Sequence, residues 1–283
     1  MQVWDRTKLI EIPEVGAGAI RFVYGTVVGR LLARGILCRK FVSKLYGSWQ
    51  KSRFSRKKVT KFMEQYQIDV SDCTAQEFSN FNDFFTRQRK KIDDHTAENE
   101  LPAIADSKLS ALPIDKDSIF TVKGVPYTVA ELLQDETLAE AYLGGMCLIF
   151  RLSPEDYHRY SFPDAGTAED TRKIRGVLHT VNPLAGTLAV YRRNTRHFTE
   201  LHTAHFGDMI EMEVGAMLVG KIRNHGDRSF TKLQEKGYFE YGGSTVILLC
   251  KKDRVKIDAD ILEYSARGIE TKVRLGERIG ERA

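Results

Sequence analysis

The stretch Lys236-Gly-Tyr-Phe-Glu-Tyr-Gly-Gly-Ser-Thr-Val-Ile-Leu-Leu-Cys250 organises the reading of this 283-residue chain. Tyr238, Phe239 and Tyr241 make a β-prone approach. Gly242 and Gly243 permit positive φ and so a sharp turn. Val246, Ile247, Leu248 and Leu249 then form a short apolar run, the pattern of a buried strand. Ser244 therefore stands at a strand mouth, directly after a glycine in a tight turn. Its hydroxyl can approach the carbonyl carbon of Gly243. With a base to take the proton and donors to hold the oxyanion, the peptide between Gly243 and Ser244 can shift to an ester. β-Elimination of that ester leaves dehydroalanine, which hydrolyses to a pyruvoyl group. The plain alternative is a Gly-Gly hairpin with a solvated Ser-Thr pair.

The length suits one large domain, or one domain with a helical appendage. Hydrophobic content of 42% and charged content of 29% allow a sizeable core. The net charge of +5 is unevenly spread. Between Glu14 and Glu64 there are twelve basic residues and no acidic one, and the remainder carries 31 basic against 38 acidic residues. Cys38, Cys73, Cys147 and Cys250 lack CxxC spacing, which argues against a zinc site or a disulfide framework and for a reducing compartment. His202 and His205 have no partner motif that would make a metal site. No signal peptide and no run of apolar residues long enough to span a bilayer is expected.

The basic block is read as an arm over residues 1–66. Arg30 and Arg34 share one helix face, with Leu31, Leu32, Ile36 and Leu37 largely elsewhere. An apolar face beside a cationic face suits an anionic bilayer surface. A helical cap with a solvated basic face is the competing reading. Nucleic-acid binding is the weakest reading, because no helix-turn-helix, zinc finger or aromatic RNA-binding sheet follows. Ser55 is a candidate N-cap for a helix over Arg56–Tyr66. Beyond the arm, residues 145–152 read as a buried strand. Residues 206–223 read as two paired strands through a Gly-Ala turn. A strand pattern continues over residues 251–257, and a short helix is expected over 258–265.

Several segments together resemble the phosphatidylserine decarboxylase family. The stretch around Gly243 and Ser244 is similar to that family's self-cleavage region. Ser79-Asn-Phe-Asn-Asp-Phe-Phe-Thr-Arg87 is similar to a family segment; Phe81, Phe84 and Phe85 in it, with Phe78 just before it, form an aromatic cluster at helical spacing that core packing explains. Leu152-Ser-Pro-Glu-Asp-Tyr-His-Arg-Tyr-Ser161 resembles the family's Leu-(Ser/Ala)-Pro-x-Asp-Tyr-His-Arg-x-His. Residues 176–183, 206–223 and 268–280 also resemble family segments, so the likeness runs from about residue 46 to residue 280.

The resemblance implies an α+β fold: the helical basic arm, then a mostly antiparallel β catalytic core over residues 67–283. It implies decarboxylation of phosphatidylserine to phosphatidylethanolamine by a pyruvoyl group made from Ser244, with self-cleavage between Gly243 and Ser244. The pyruvoyl carbonyl would condense with the substrate amine and withdraw electrons as CO₂ leaves. His158 matches the histidine that handles substrate and protonates the carbanion. Asp106 matches the aspartate that orients the base histidine and supports maturation. The base itself is replaced here by Ser161, a hydroxyl that does not titrate near neutral pH. Ser107 and Lys221 are further departures, and a nearby histidine could stand in for the base. The expected partners are phosphatidylserine, an anionic membrane on its cytoplasmic face, and the two fragments of the chain itself, and a homodimer is permitted. Two alternatives differ in class. One is a non-processing or poorly processing member that binds anionic lipid; the other is a member acting on a soluble amino acid.

Overall fold

The computed structural model describes residues 2–13, 49–116, 120–122, 125–175, 195–215, 221–240 and 244–283. Most of the basic arm, the Gly242-Gly243 turn, the 176–183 segment and Gly220 with the four residues before it lie outside the described residues. Strands are numbered along the chain. The main sheet has the order β14 (Ser229–Phe230), β9 (Gly166–Ala168), β11 (Arg196–Thr203), β12 (Gly207–Gly215), β16 (Ser244–Cys250), β7 (Met146–Leu152), β4 (Ser107–Pro113), β18 (Glu270–Val273), β1 (Gln2–Asp5) and β2 (Ile10–Pro13). β10 (Arg172–Ile174) pairs with β11 beside this path. Every pairing in the sheet is antiparallel except β1 with β18.

β16 lies at the middle, between β12 and β7, and all seven of its residues are buried. A strand buried on both faces needs no polar alternation, which is why the sequence shows a continuous apolar run there. Each of its four aliphatic side chains contributes about 1.5–3 kcal/mol by leaving water. Leu148, Phe150, Met209, Ile210 and Phe198 complete the same core.

A small sheet of β13 (Ile222–Asn224), β15 (Glu235–Phe239) and β8 (Arg159–Ser161) lies over one face. Its Tyr160 and Phe239 rings meet at 4.9 Å, and the Phe162 ring just after β8 stacks on Phe230 at 3.9 Å. A third sheet joins β17 (Val255–Ile257), β19 (Arg278–Arg282) and β3 (Glu100–Pro102), and β5 (Phe120–Val122) pairs with β6 (Val125–Tyr127).

Among the described residues the helices with both ends in view are short: α1 (Arg56–Tyr66), α2 (Phe81–Phe85), α3 (Val129–Leu133), α4 (Glu136–Glu140) and α5 (Ala259–Ala266). α5 is the short helix expected near residue 258. α1 has the expected bounds, but Ser55 does not cap it. Ser55 itself is helical in backbone, with no side-chain cap bond. Its buried hydroxyl faces the carbonyls of Gln50 and Ser52, each at 2.8 Å, and accepts the Phe81 N–H at 2.8 Å. It therefore staples α1 to α2. Phe62, Phe78, Phe81 and Phe84 meet edge-on between these helices.

Two expectations are corrected. Residues 206–223 do not form a hairpin: β12 pairs with β11 and β16, whereas β13 leaves for the small sheet and pairs with β15. The backbone after Cys250 turns before β17 begins at Val255. At the amino end, β1 is built into the main sheet, and Arg6 reaches Asp258, Asp260 and Glu277. Trp4 stacks on Tyr264 of α5 at 4.4 Å.

Candidate active site

Ser244 opens β16 and is fully buried. In register it lies between Leu152, the last residue of β7, and Gly215, the last of β12. The chain leaves β7 at Leu152 and reverses at once. Ser153 and Asp156 close that reversal: the Ser153 N–H donates to Asp156 Oδ2 at 2.6 Å, and the Asp156 N–H donates to the Ser153 carbonyl at 3.0 Å. Pro154 inside the turn has no N–H to satisfy. The reversal carries His158 back over the end of the strand it came from. There its Nδ1 lies 3.2 Å from Ser244 Oγ, and its Nε2 lies 3.0 Å from the Ser153 carbonyl oxygen.

The imidazole is wholly buried. Phe85 of α2 stacks on it with ring centroids 3.8 Å apart and planes 23° apart. Burial pushes the His158 pKa well below the usual imidazole value, and the nearby Arg87 charge pushes the same way. The ring is thus neutral near pH 7. Arg87 is itself buried, its guanidinium reaching the carbonyls of Glu155 and Asp156 at 3.4 Å each. Two buried ion pairs hold the turn. Arg151 binds Glu270 and reaches Ser153 Oγ at 3.2 Å, and Lys108 binds Asp156 at 2.7 Å. Burial raises the Asp156 carboxyl to about 6 against the pull of Lys108.

The other site candidates lie apart from this contact. Asp106 does not bond the imidazole. Arg89 holds both its oxygens, at 3.2 and 2.6 Å, and the Leu275 N–H donates to Oδ1 at 2.8 Å. A guanidinium fork matches a carboxylate better than one imidazole N–H does, and Arg89 is two residues beyond Arg87 on the segment that leaves α2. Ser161 is buried on β8 opposite Glu235, and its N–H donates to the Ile104 carbonyl at 3.0 Å. The loop holding Asp106 thus touches the Ser161 backbone while the Asp106 side chain turns away. Gly243, the other residue of the expected cleavage site, lies outside the described residues.

Nor do the later histidines approach Ser244 among the described contacts. His202 binds Asp208 at 2.8 Å and His205 binds Asp164 at 2.9 Å, at the end of the β11–β12 pair remote from Gly215. Sequence reasoning missed Phe85 and Ser153 as parts of the site. Phe85 was read as core, and nothing in its spacing separates it from Phe84. Ser153 acts through its backbone carbonyl, which no side-chain pattern reveals.

On the face of the sheet shared with Ser244, β12 carries Glu213 and Glu211, both buried. Lys236 bonds Glu213, and Asn224 donates to the second Glu213 oxygen at 2.9 Å. Tyr160 donates to Asn224 at 2.5 Å. Among the described residues Glu211 has no hydrogen-bond partner, and the Lys236 ammonium stands off at 3.7 Å. One ammonium balances one carboxylate. Burial, opposed by Lys236 and reinforced by Glu213, raises the Glu211 carboxyl from its ordinary 4.5 to about 8.

A carbonyl group made from Ser244 fits what is present. The serine that would supply it is buried at a strand start with a neutral imidazole on its hydroxyl. The sequence matches the phosphatidylserine decarboxylase family over residues 81–281. It is 45% identical to phosphatidylserine decarboxylase proenzyme 2 of Clostridium acetobutylicum, across 93% of this chain and 92% of that one. It is 40% identical to the phosphatidylserine decarboxylase proenzyme of Clostridium perfringens over the full length of both. It is 41% identical to that of Ruminiclostridium cellulolyticum over 99% of this chain and 97% of that one. The chain belongs to the phosphatidylserine decarboxylase family.

Proposed function

We propose that this chain is a proenzyme that cuts itself between Gly243 and Ser244, and that the pyruvoyl group left at Ser244 decarboxylates phosphatidylserine to phosphatidylethanolamine. The observation that carries this reading is the 3.2 Å approach of His158 Nδ1 to Ser244 Oγ at the mouth of a buried strand. Once made, the group supplies an electron sink for an amine substrate losing CO₂. His158, next to the position where that group arises, returns the proton to the substrate carbon. Phe85 keeps water off one ring face. Asp106 supports maturation as a positioning residue, by holding Arg89 and the Leu275 N–H.

Lipid delivery falls to the arm. Phe54 is 84% exposed and Trp49 41% exposed, with the Lys58 ammonium 3.9 Å above the Trp49 ring. Lys51 bonds Glu240 at 2.9 Å, four residues before Ser244, so the cationic segment lies close to the cleavage region. This supports docking on an anionic bilayer at the cytoplasmic face, as do the free thiols of Cys73, Cys147 and Cys250. Among the described residues no helix is long and apolar enough to cross a membrane.

Intact mass of the purified chain tests the reading. Fragments of residues 1–243 and 244–283 are expected, the smaller with a blocked amino end. Borohydride with phosphatidylserine vesicles should fix the lipid amine to the smaller fragment. A folded chain that stays whole rules the reading out, and trapping of free serine in place of the lipid moves it to a soluble substrate.

A further inference from the structure

We infer that His158 is the general base of self-cleavage in this chain, held in the required tautomer by the Ser153 carbonyl. The inference rests on the proposed self-cleavage and names the group that starts it. A carbonyl oxygen can only accept a hydrogen bond. The contact of His158 Nε2 with the Ser153 carbonyl, at 3.0 Å, therefore puts the ring proton on Nε2. In a neutral imidazole the lone pair is then on Nδ1, which faces the Ser244 hydroxyl at 3.2 Å. Ser244 O–H donates and His158 Nδ1 accepts, the direction a base needs.

The step balances without an added reactant. Ser244 Oγ gives its proton to His158 Nδ1 and bonds to the Gly243 carbonyl carbon. The carbon–nitrogen bond of the peptide breaks, and the nitrogen takes the proton back from Nδ1. The products are an ester between Gly243 and Ser244 Oγ, a free amine on Ser244, and an unchanged imidazole.

The two groups expected to form the base pair are occupied elsewhere. Residue 161 is a serine, and both Asp106 oxygens face Arg89. The substitute for the carboxylate is rigid. Ser153 is held by Asp156 through its N–H and by Arg151 through its hydroxyl, so its carbonyl direction is fixed at both ends. A carbonyl stabilises the transient imidazolium less than a carboxylate does. Self-cleavage here is accordingly slower than with a carboxylate-backed base.

The test follows the intact full-length chain by mass over time after synthesis, with Ser244→Ala as the uncut control. His158→Ala removes the base. His158→Asn also does so, while keeping an amide that can donate to the Ser153 carbonyl and preserve the turn. Folding of each is checked by its thermal transition. Cleavage should slow about 10²–10⁴-fold in both variants, and free imidazole should restore part of it in His158→Ala. Hydroxylamine, which cuts esters, should accelerate cleavage of the parent and leave His158→Asn whole. Parental-rate cleavage of either folded variant overturns the inference and leaves the proposed function standing. A folded parent that never cuts overturns both.

Discussion

Replacing Glu211 by glutamine should abolish a fall in stability that the parent shows on going from pH 5 to pH 8. The carboxyl is fully buried and without a hydrogen bond among the described residues, and its pKa in the fold is raised from 4.5 to about 8. The folded chain thus holds a proton that the unfolded chain has released. A group whose folded pKa is raised contributes stability that is complete below its unfolded value and is lost as pH climbs through the folded one. The window is therefore pH 4.5 to 8. The slope is at most about 1.4 kcal/mol per pH unit, so the parent should lose on the order of 3 kcal/mol between pH 5 and 8 relative to the glutamine variant. For a chain of this size that corresponds to roughly 6 °C in melting temperature. Glutamine leaves an amide without partners, which costs about 1–3 kcal/mol at every pH. The slope and not the absolute temperature is thus the quantity to compare. Both proteins carry Ser244→Ala, so that one uncut species is melted. Asp156 titrates in the same range in both and cancels in the difference. Parallel curves would show that Glu211 does not carry the proton and that the Lys236 network is arranged otherwise.

Phe84→Ala should lower stability by about 3–5 kcal/mol in urea unfolding, since the ring is fully buried between α1 and α2. Glu270→Ala should cost a similar amount, about 3–5 kcal/mol, because it removes the carboxylate from a buried ion pair with Arg151. It should also slow cleavage by loosening Ser153, visible as intact chain persisting by mass. Phe54→Ser combined with Lys57→Glu and Lys58→Glu should reduce sedimentation with phosphatidylglycerol vesicles. Residual binding should fall further as salt rises, and unchanged binding would remove this segment from the membrane contact. Truncation is a poorer test, because residues 2–5 form a strand of the main sheet.

The fold was legible where burial is continuous or short-range. The apolar run at residues 246–249 has the pattern of an interior strand, which β16 is, and the helical spacing of Phe81, Phe84 and Phe85 is met by α2, which begins after Phe78. Long-range partners left no such trace. β1 joins β18 in parallel register across 267 positions, from Val3 to Glu270. Periodicity within β12 and β13 says that both are strands, but not that β13 pairs with β15. At the site, Ser244 and His158 were each readable from their motifs. Their contact spans 86 residues and depends on a reversal closed by Ser153 and Asp156. Asp106 was read in its family position, yet its side chain turns to Arg89, whose attraction is visible only once α2 is placed.

The place of β16 in the sheet has a consequence for the order of events in the life of the protein. A cut before Ser244 makes a small chain containing β16, β17, α5, β18 and β19. β16 is hydrogen-bonded on both sides to strands of the large chain, β12 and β7. β18 lies between β4 and β1, and β19 is bonded to β3. The small chain is thus woven through the large one, and the nick leaves two polypeptides in one cooperative body. Assembly before the cut is unimolecular, whereas reassembly after it depends on concentration. Denatured processed protein should therefore recover poorly where the uncut Ser244→Ala chain recovers well. The scissile bond acts as a tether whose loss makes folding a one-way passage.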